Sequence, residues 1–455
     1  MNTKLNTSFF TKDKSFYKSF FALFIMIAMQ NLIAYSVNMA DNIMLGAYSQ
    51  NALSGAATVN QIFFVVQQLS MAIGEALVTI SSQYWGKKEL GPVKNLTLIA
   101  TFTAFLFGAF MLLCTTLFDK EILSFFTTDA GILAEGIKYL EIIKFTFVLF
   151  AVTHILIASL RSVETVKISF YISVSSLFTN CIINYILIYG KLGFPEMGIR
   201  GAAIGTLISR ISELLIVLWY LKFKDKKIKL FESGFTYKKE LKNDYFKMLS
   251  PIFISQILWC VSVPVQTAVL GHISSDAIAA NSVATTFYQY LKVLVVAMSS
   301  ASAVMIGTAI GKGEMDRIKS DSRSLSVMDI ALGLVLGGIL FALRKPLLSF
   351  YNLSDSALLL SDQLIVVMSV VMVGMSYQMP VSSGIIRGGG DAKFTLYMNL
   401  ISVWFIVFPL SLLAAFYFKW PVPVVVLCLQ SDQIFKGLPT FLRFRTYKWI
   451  KKLTR

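Results

Sequence analysis

Charge is what this chain has little of. Only 15% of its 455 residues are Asp, Glu, Lys or Arg, against about a quarter in a soluble domain. Hydrophobic residues make up 56%, and the mean hydropathy is +0.69. One globular core cannot hide that much apolar surface, so lipid has to cover much of it. Cysteine is sparse too. The four (Cys114, Cys181, Cys260, Cys428) are scattered through apolar segments with no CxxC pair, which argues against a disulfide framework and a zinc site. Two histidines, His154 and His272, stand alone and read as satisfied or interfacial residues rather than metal ligands. No GxxxxGK[ST], HExxH or GxSxG is present, so no nucleotide-driven motor and no common hydrolase is fused to the chain.

What is there is apolar sequence in long pieces. Twelve stretches are long enough to span a bilayer, at about 16–45, 52–84, 94–118, 134–158, 166–190, 199–222, 245–270, 278–310, 325–343, 358–385, 394–418 and 422–441. Asp432 and Lys436 interrupt the last. The first is too long for a signal-peptide core and reads as a retained span. Net charge is +16, but the basic residues cluster in every second loop between apolar runs. That is the positive-inside pattern, and it places both termini and the long middle loop in the cytoplasm of a plasma-membrane protein. Nucleic acid is not an expected partner, because no soluble domain carries a basic face. The charged stretch 223–244 separates an amino-terminal six-helix lobe (1–222) from a carboxy-terminal one (245–455). The fold class read from the sequence is therefore all-α and integral to the membrane, with twelve helices in two pseudo-symmetric six-helix bundles.

The halves repeat at a shift of 225 residues. Asp41-Asn-Ile-Met-Leu-Gly46 lines up with Gln266-Thr-Ala-Val-Leu-Gly271, Ser49 with Ser274, Ala52 with Ala277, and Gly86-Lys87-x-Glu89 with Gly311-Lys312-x-Glu314. Two like halves, each with several spans, are the usual plan of a secondary transporter with its site between the repeats. The acid Asp41 has a neutral counterpart in Gln266, so the halves share a scaffold and not a task.

Ionisable groups inside spans cost roughly 2.5–3.5 kcal/mol for Asp, Lys or Arg unless paired or hydrated. Asp41 is either an interfacial carboxylate at a helix end or a proton or sodium site, because a carboxylate in a partly dry cavity can exchange a proton or hold a cation with nearby oxygens. Asn180 and Asn184, one turn apart beside Thr179, offer such oxygens, or else serve as interhelical glue. Glu75 lies roughly 16 Å along its helix before Gly86, and Lys292 roughly 28 Å before Gly311, so a direct pair between them is not the simplest arrangement. Gln67 with Asn60, Gln256 with Trp259 and Gln266, and Tyr288 with Gln289 and Lys292 form polar stripes on three helices. These line a shared substrate cavity or pack helices together. Lys292 could select anionic groups on a substrate or compete with protonation of a neighbour.

These segments resemble the multidrug and toxic compound extrusion (MATE) transporters over nearly the whole chain. The resemblance rests on 41–46 with Ala52-Leu-Ser-Gly-Ala56, Ser82-Gln-Tyr-Trp-Gly-Lys-Lys88, Leu160-Arg161, Gly193-Phe-Pro-Glu-Met-Gly198 and Gly201-Ala-Ala-Ile-Gly-Thr206. In the second half it rests on Pro251 to Trp259, Ile306-Gly307, Gly311-Lys-Gly-Glu314 and Ile386-Arg-Gly-Gly-Gly-Asp391-Ala-Lys393. It implies two six-helix lobes and cation-driven export of small organic compounds, amphipathic or cationic, by alternating access. It also implies a coupling site of Asp41, Asn180, Asn184, Ala202 and Thr206. Asn184 departs from the family, which often has Asp there, and a single carboxylate suits sodium less well. Gln256 stands where many members carry an acid, and Ser376 to Gln378 replaces another. Coupling through the second lobe is therefore doubtful, and the coupling ion, H+ or Na+, is the only cofactor expected. The expected protein is a monomer. A lipid-linked-precursor flippase of the same superfamily would favour a strongly cationic cavity, for which Lys292 alone is thin support. A polytopic enzyme would need clustered catalytic groups at membrane depth, and none is seen.

Overall fold

The structure, a computed structural model, describes residues 10–232, 238–349, 351 and 354–455. Residues 1–9 of the expected first lobe and 233–237 of the expected linker lie outside the described residues. The chain is helical, with no strand among the described residues. In order it forms α1 (Lys14–Tyr48), α2 (Gln50–Gly86), α3 (Leu90–Leu117), α4 (Asp119–Ser124), α5 (Ala130–Ile143), α6 (Phe145–Ser162), α7 (Lys167–Ile188) and α8 (Ile199–Phe223). Then come α9 (Lys239–Gly271), α10 (Ser275–Lys312), α11 (Met315–Leu348), α12 (Asp355–Met379), α13 (Ala392–Asn399), α14 (Phe408–Leu412), α15 (Val422–Leu429), α16 (Asp432–Phe435) and α17 (Gly437–Arg445).

Eleven runs among the described residues are long and apolar enough to cross a membrane, and they fall on eleven of the twelve stretches read from the sequence. The stretch 134–158 bends at Lys144, between α5 and α6, and its spanning part is Phe145–Ser162. The twelfth stretch is three short helices, α15 to α17, broken around the charged residues that interrupt it. Helices α1 and α2, of 35 and 37 residues, run to roughly 50–55 Å at 1.5 Å per residue. They must therefore tilt or protrude from a hydrocarbon core of about 30 Å.

Local chemistry sets the helix ends. Asp129 caps α5 by accepting from the backbone N–H groups of Gly131 and Ile132, and Ser274 caps α10 through Ala277. Gly313, at φ +76°, closes α10 in the left-handed conformation that glycine adopts without a Cβ clash. Wide π-helical turns occupy Pro380–Ile386, Leu400–Val407 and Leu413–Tyr417. Proline accompanies the first two: Pro380 opens the first and Pro409 follows the second, and each lacks the N–H that an α-turn would bond four residues back.

Tertiary contacts gather the chain into two compact units. The amino-terminal unit comprises Met29–Ser81 and Lys88–Leu249. Its core includes Val59, Val66, Leu140, Phe147, Ile199 and Ala203. Small residues bring its helices close, as packing in lipid requires. A Cβ on Gly108 of α3 would stand 2.8 Å from the Val148 Cα of α6, and one on Gly55 of α2 would stand 2.8 Å from the Gly136 nitrogen of α5. After α8, Lys227 donates to the Val163 carbonyl at 2.6 Å, and partial burial pushes its ammonium below the usual lysine range.

The carboxy-terminal unit comprises Met1–Ala28, Ser82–Lys87 and Ser250–Arg455, so far as they are described. Helix α10 is its axis: its carboxy-terminal half, 293–310, is mostly buried and faces protein rather than lipid. Gly333 and Gly337 of α11 press against Ser376 and Ser369 of α12. Where the end of α2 crosses the end of α10, the contacts exchange. A Cβ on Gly86 would overlap the carbonyl of Thr308, and one on Gly311 would overlap the carbonyl of Gln83. These residues are counterparts at the 225-residue shift, and Gly307 meets its own counterpart, Ser82. The chain end docks on this crossing. Gln83 donates to the Lys451 carbonyl at 3.1 Å and accepts from the Leu453 N–H at 2.8 Å. Trp449 is fully buried over Gly389, and Asp391 receives Arg443 at 2.5 Å and Lys451 at 2.7 Å.

Candidate functional site

In the amino-terminal unit, Asp41 lies two turns before the end of α1 and is buried, at 9% exposure. Asn180 and Asn184 share a face of α7 through their spacing of four, and both are fully buried. Asn184 donates Nδ2 to Asp41 Oδ1 at 2.5 Å and to Asn180 Oδ1 at 3.2 Å. Asn180 donates Nδ2 to Thr206 Oγ1 of α8 at 3.3 Å. A side chain at Gly205 would overlap Asn184 Oδ1, so this glycine makes room for the amide. Asn184 Oδ1 has no hydrogen-bond partner among the described residues. Ala202, one turn before Thr206, is buried behind the polar row. Four of the five coupling residues expected from the sequence thus form one hydrogen-bonded chain across α1, α7 and α8.

Sequence reading passed over three neighbours. Tyr139 of α5 is buried, with its hydroxyl beside Thr206 and within reach of the Asp41 charge. Arg210, one turn after Thr206, also acts on Asp41 electrostatically. Arg210 is bound to Glu213 by two hydrogen bonds, at 3.0 and 2.8 Å. Its guanidinium lies over Phe150 at 5.2 Å and Phe63 at 5.8 Å, a desolvated setting that suits a planar, weakly hydrated cation. The signal for these two was available: opposite charges three residues apart in an apolar span form a pair on one helix face. Glu213 engages Arg210, and among the described residues no cation is bonded to Asp41. Gln67 and Glu75 are half-buried on α2 in the same unit.

The carboxy-terminal unit is different. At the repeat position of Asp41, Gln266 accepts from Gln430 at 3.3 Å, a neutral amide pair. A charged cluster lies on other helices. Lys436 donates to Asp432 Oδ2 at 2.7 Å and to Asn399 Oδ1 at 2.9 Å. Asn399 donates to Ser255 at 2.8 Å, and Gln433 to Asp432 at 2.8 Å. Gln378 donates to Gln433 at 2.7 Å. Lys292 of α10 holds its ammonium 5.3 Å from the ring centroid of Trp259 on α9. Tyr288 is buried, its hydroxyl 2.7 Å from Met375 Sδ, and Gln256 is half-buried on α9. Sequence reading also missed Asp329 of α11, which is fully buried with neither carboxylate oxygen hydrogen-bonded among the described residues. An acid within the ninth apolar stretch was its signal.

Comparison with known proteins shows the family. The MatE family model matches residues 27–186 and 251–413. A probable multidrug resistance protein NorM from Thermotoga maritima is 25% identical over 94% of this chain and 92% of its own length. The uncharacterized transporter YisQ of Bacillus subtilis is 24% identical over 97% and 96%. Among solved structures, a MOP superfamily transporter from Pyrococcus furiosus superposes with a TM-score of 0.88 at 15% identity, over 99% of this chain and all of that one. The eukaryotic MATE transporter AtDTX14 does so with 0.85 at 18%, over 96% and 97%. The chain belongs to the MatE family of multi-pass membrane transporters, and is a transporter rather than an enzyme.

Proposed function

We propose that the protein is a proton-coupled exporter of small amphipathic organic compounds, acting as a monomer in the plasma membrane with both termini in the cytoplasm, and that Asp41 is the coupling group. The observation that carries this reading is the isolation of one buried carboxylate in a row of neutral amide and hydroxyl groups. When Asp41 is charged, it draws the Asn184 amide and, through Asn180, the hydroxyl of Thr206. When it is neutral, that pull is gone, and α1, α7 and α8 can repack. A proton drives transport only if it binds the two arrangements unequally, and a buried charge that is removed and restored provides that inequality.

The donor set supports a proton over sodium. There is one carboxylate, and its nearest amide turns nitrogen rather than oxygen towards it. Sodium would call for several oxygens converging on one point. Substrate charge is a separate question. The Pyrococcus furiosus neighbour is described by a reverse polarity of its binding pocket, so within this fold polarity follows from each chain's own residues.

The test is efflux of an organic cation, ethidium, and of an organic anion, 2-naphthoate, from proteoliposomes under separately imposed proton and sodium gradients, with wild type and Asp41→Asn. Proton-driven efflux that falls at least tenfold in Asp41→Asn is expected. Full transport by the variant ends the assignment of Asp41, and efflux driven only by sodium ends the assignment of the proton.

A further inference from the structure

Lys292 is a cation within a span that the coupling mechanism does not use. It lies in the middle of α10, immediately before the mostly buried stretch 293–310. The residue is nevertheless partly accessible, as are Trp259, Gln256 and Gln289. Among the described residues no carboxylate comes within 4 Å of its ammonium and no hydrogen bond to it is formed; the ammonium lies over the face of Trp259, 5.3 Å from the ring centroid. The acid that faces it electrostatically, Asp432, is already engaged. Lys436 bonds it at 2.7 Å and Gln433 at 2.8 Å, and the two charged side chains of that pair are 8% and 5% exposed. Asp432 and Lys436 cancel, which leaves the cluster one net positive charge, placed on Lys292.

A cation–π contact is worth only about 0.5–2 kcal/mol, less than the cost of holding an unpaired ammonium at membrane depth. An anion would restore the balance. We propose that the carboxy-terminal unit contains a subsite for a singly charged organic anion, in which the Lys292 ammonium takes the anionic group and Trp259 takes the adjoining apolar or aromatic body of the ligand. One net charge matches a monoanion, because a second negative charge would find no free cation. The same ammonium repels organic cations, so this site selects by repulsion as well as by attraction. The inference rests on the transporter reading and narrows its substrate class.

The test is equilibrium binding of a matched set of probes to the purified full-length protein in detergent. The probes are 2-naphthoate, its neutral amide, 2-naphthylmethylammonium, and 2-naphthyl phosphate as the second kind of anion. A charge-assisted contact predicts that the wild type binds naphthoate about tenfold or more tightly than the amide, and that the phosphate, mostly a dianion at neutral pH, binds no more tightly than naphthoate; a preference for the phosphate overturns the assignment to a singly charged anion. Lys292→Gln is expected to erase the preference and to strengthen ammonium binding, whereas Lys292→Arg is expected to keep it. The arginine variant, with gel-filtration profiles of both, separates lost charge from lost fold. A wild type with no preference for either anion over the amide overturns the proposal, absence of binding included, and so does a preference that survives Lys292→Gln. Because binding is read without a gradient, the outcome is independent of Asp41 and of the coupling ion.

Discussion

Asn184 is the residue that bonds Asp41 directly, so on the proposed coupling role it is the position at which ion choice can be tested. It gives Asp41 an N–H rather than a second negative charge, and its own oxygen has no bonded partner among the described residues. An Asn184→Asp substitution places two carboxylates face to face, a pair that either shares one proton or gathers a metal cation. We expect the variant to acquire sodium-stimulated efflux in proteoliposomes that the wild type lacks; unchanged ion dependence would show that residue 184 does not set ion choice. At this scale the sequence was informative where a residue contradicted its surroundings. Asp41 was conspicuous as an acid in an apolar span, and Asn180 with Asn184 as amides one turn apart. The partnership of Lys292 with Trp259 was not readable, because it depends on how α9 and α10 pack, and no spacing along one helix encodes that. Arg210 and Glu213 were readable but overlooked, since their charges cancel in any count of net charge.

At the scale of elements, hydrophobic length located nearly every span, and what it missed has local causes. The last apolar stretch does not form one helix, because Asp432 and Lys436 pair inside the unit instead of lying along a continuous lipid-facing surface. Long apolar runs also say nothing of the π-helical turns at Pro380 and Pro409, since hydropathy does not register a missing N–H. The crossing of α2 over α10 gives a sharp test. Gly311 leaves no space for a methyl group, because the obstacle is the Gln83 backbone and not a movable side chain. Gly311→Ala should destabilise the protein by about 1–3 kcal/mol, the usual cost of overpacking, seen as a lower melting temperature in detergent. Gly338→Ala is the control, since nothing lies within 4 Å of a Cβ there, and it should be neutral or slightly stabilising.

For the whole molecule, the alternation of basic and less basic loops predicts a single orientation in the membrane. Single cysteines introduced at Lys226 and Lys448, in a background with the four native cysteines replaced, should react with a membrane-impermeant maleimide only after cells are opened. One at Lys191, in the loop between α7 and α8, should react in intact cells. The reverse result would invert the topology. Family membership was legible because many short segments kept their order over the whole chain, whereas the substrate was not, because a scaffold shared at about 25% identity can carry different side chains into its interior.

The exchange of contacts among Gln83, Gly86, Thr308 and Gly311 has a historical reading. A surface that is complementary to its own copy is what a two-fold dimer uses. A half-length ancestor able to pair in this way would have carried every site twice, and any substitution would have appeared on both sides of the axis at once. Joining the copies into one polypeptide removed that tie. One copy could keep the acid of position 41 while the other exchanged it for the glutamine of position 266, and a lysine could enter α10 with no duplicate in α2, where Gln67 stands at the matching place. On the roles proposed above, an ion-handling half and a ligand-handling half are open only to a chain whose two copies are encoded separately.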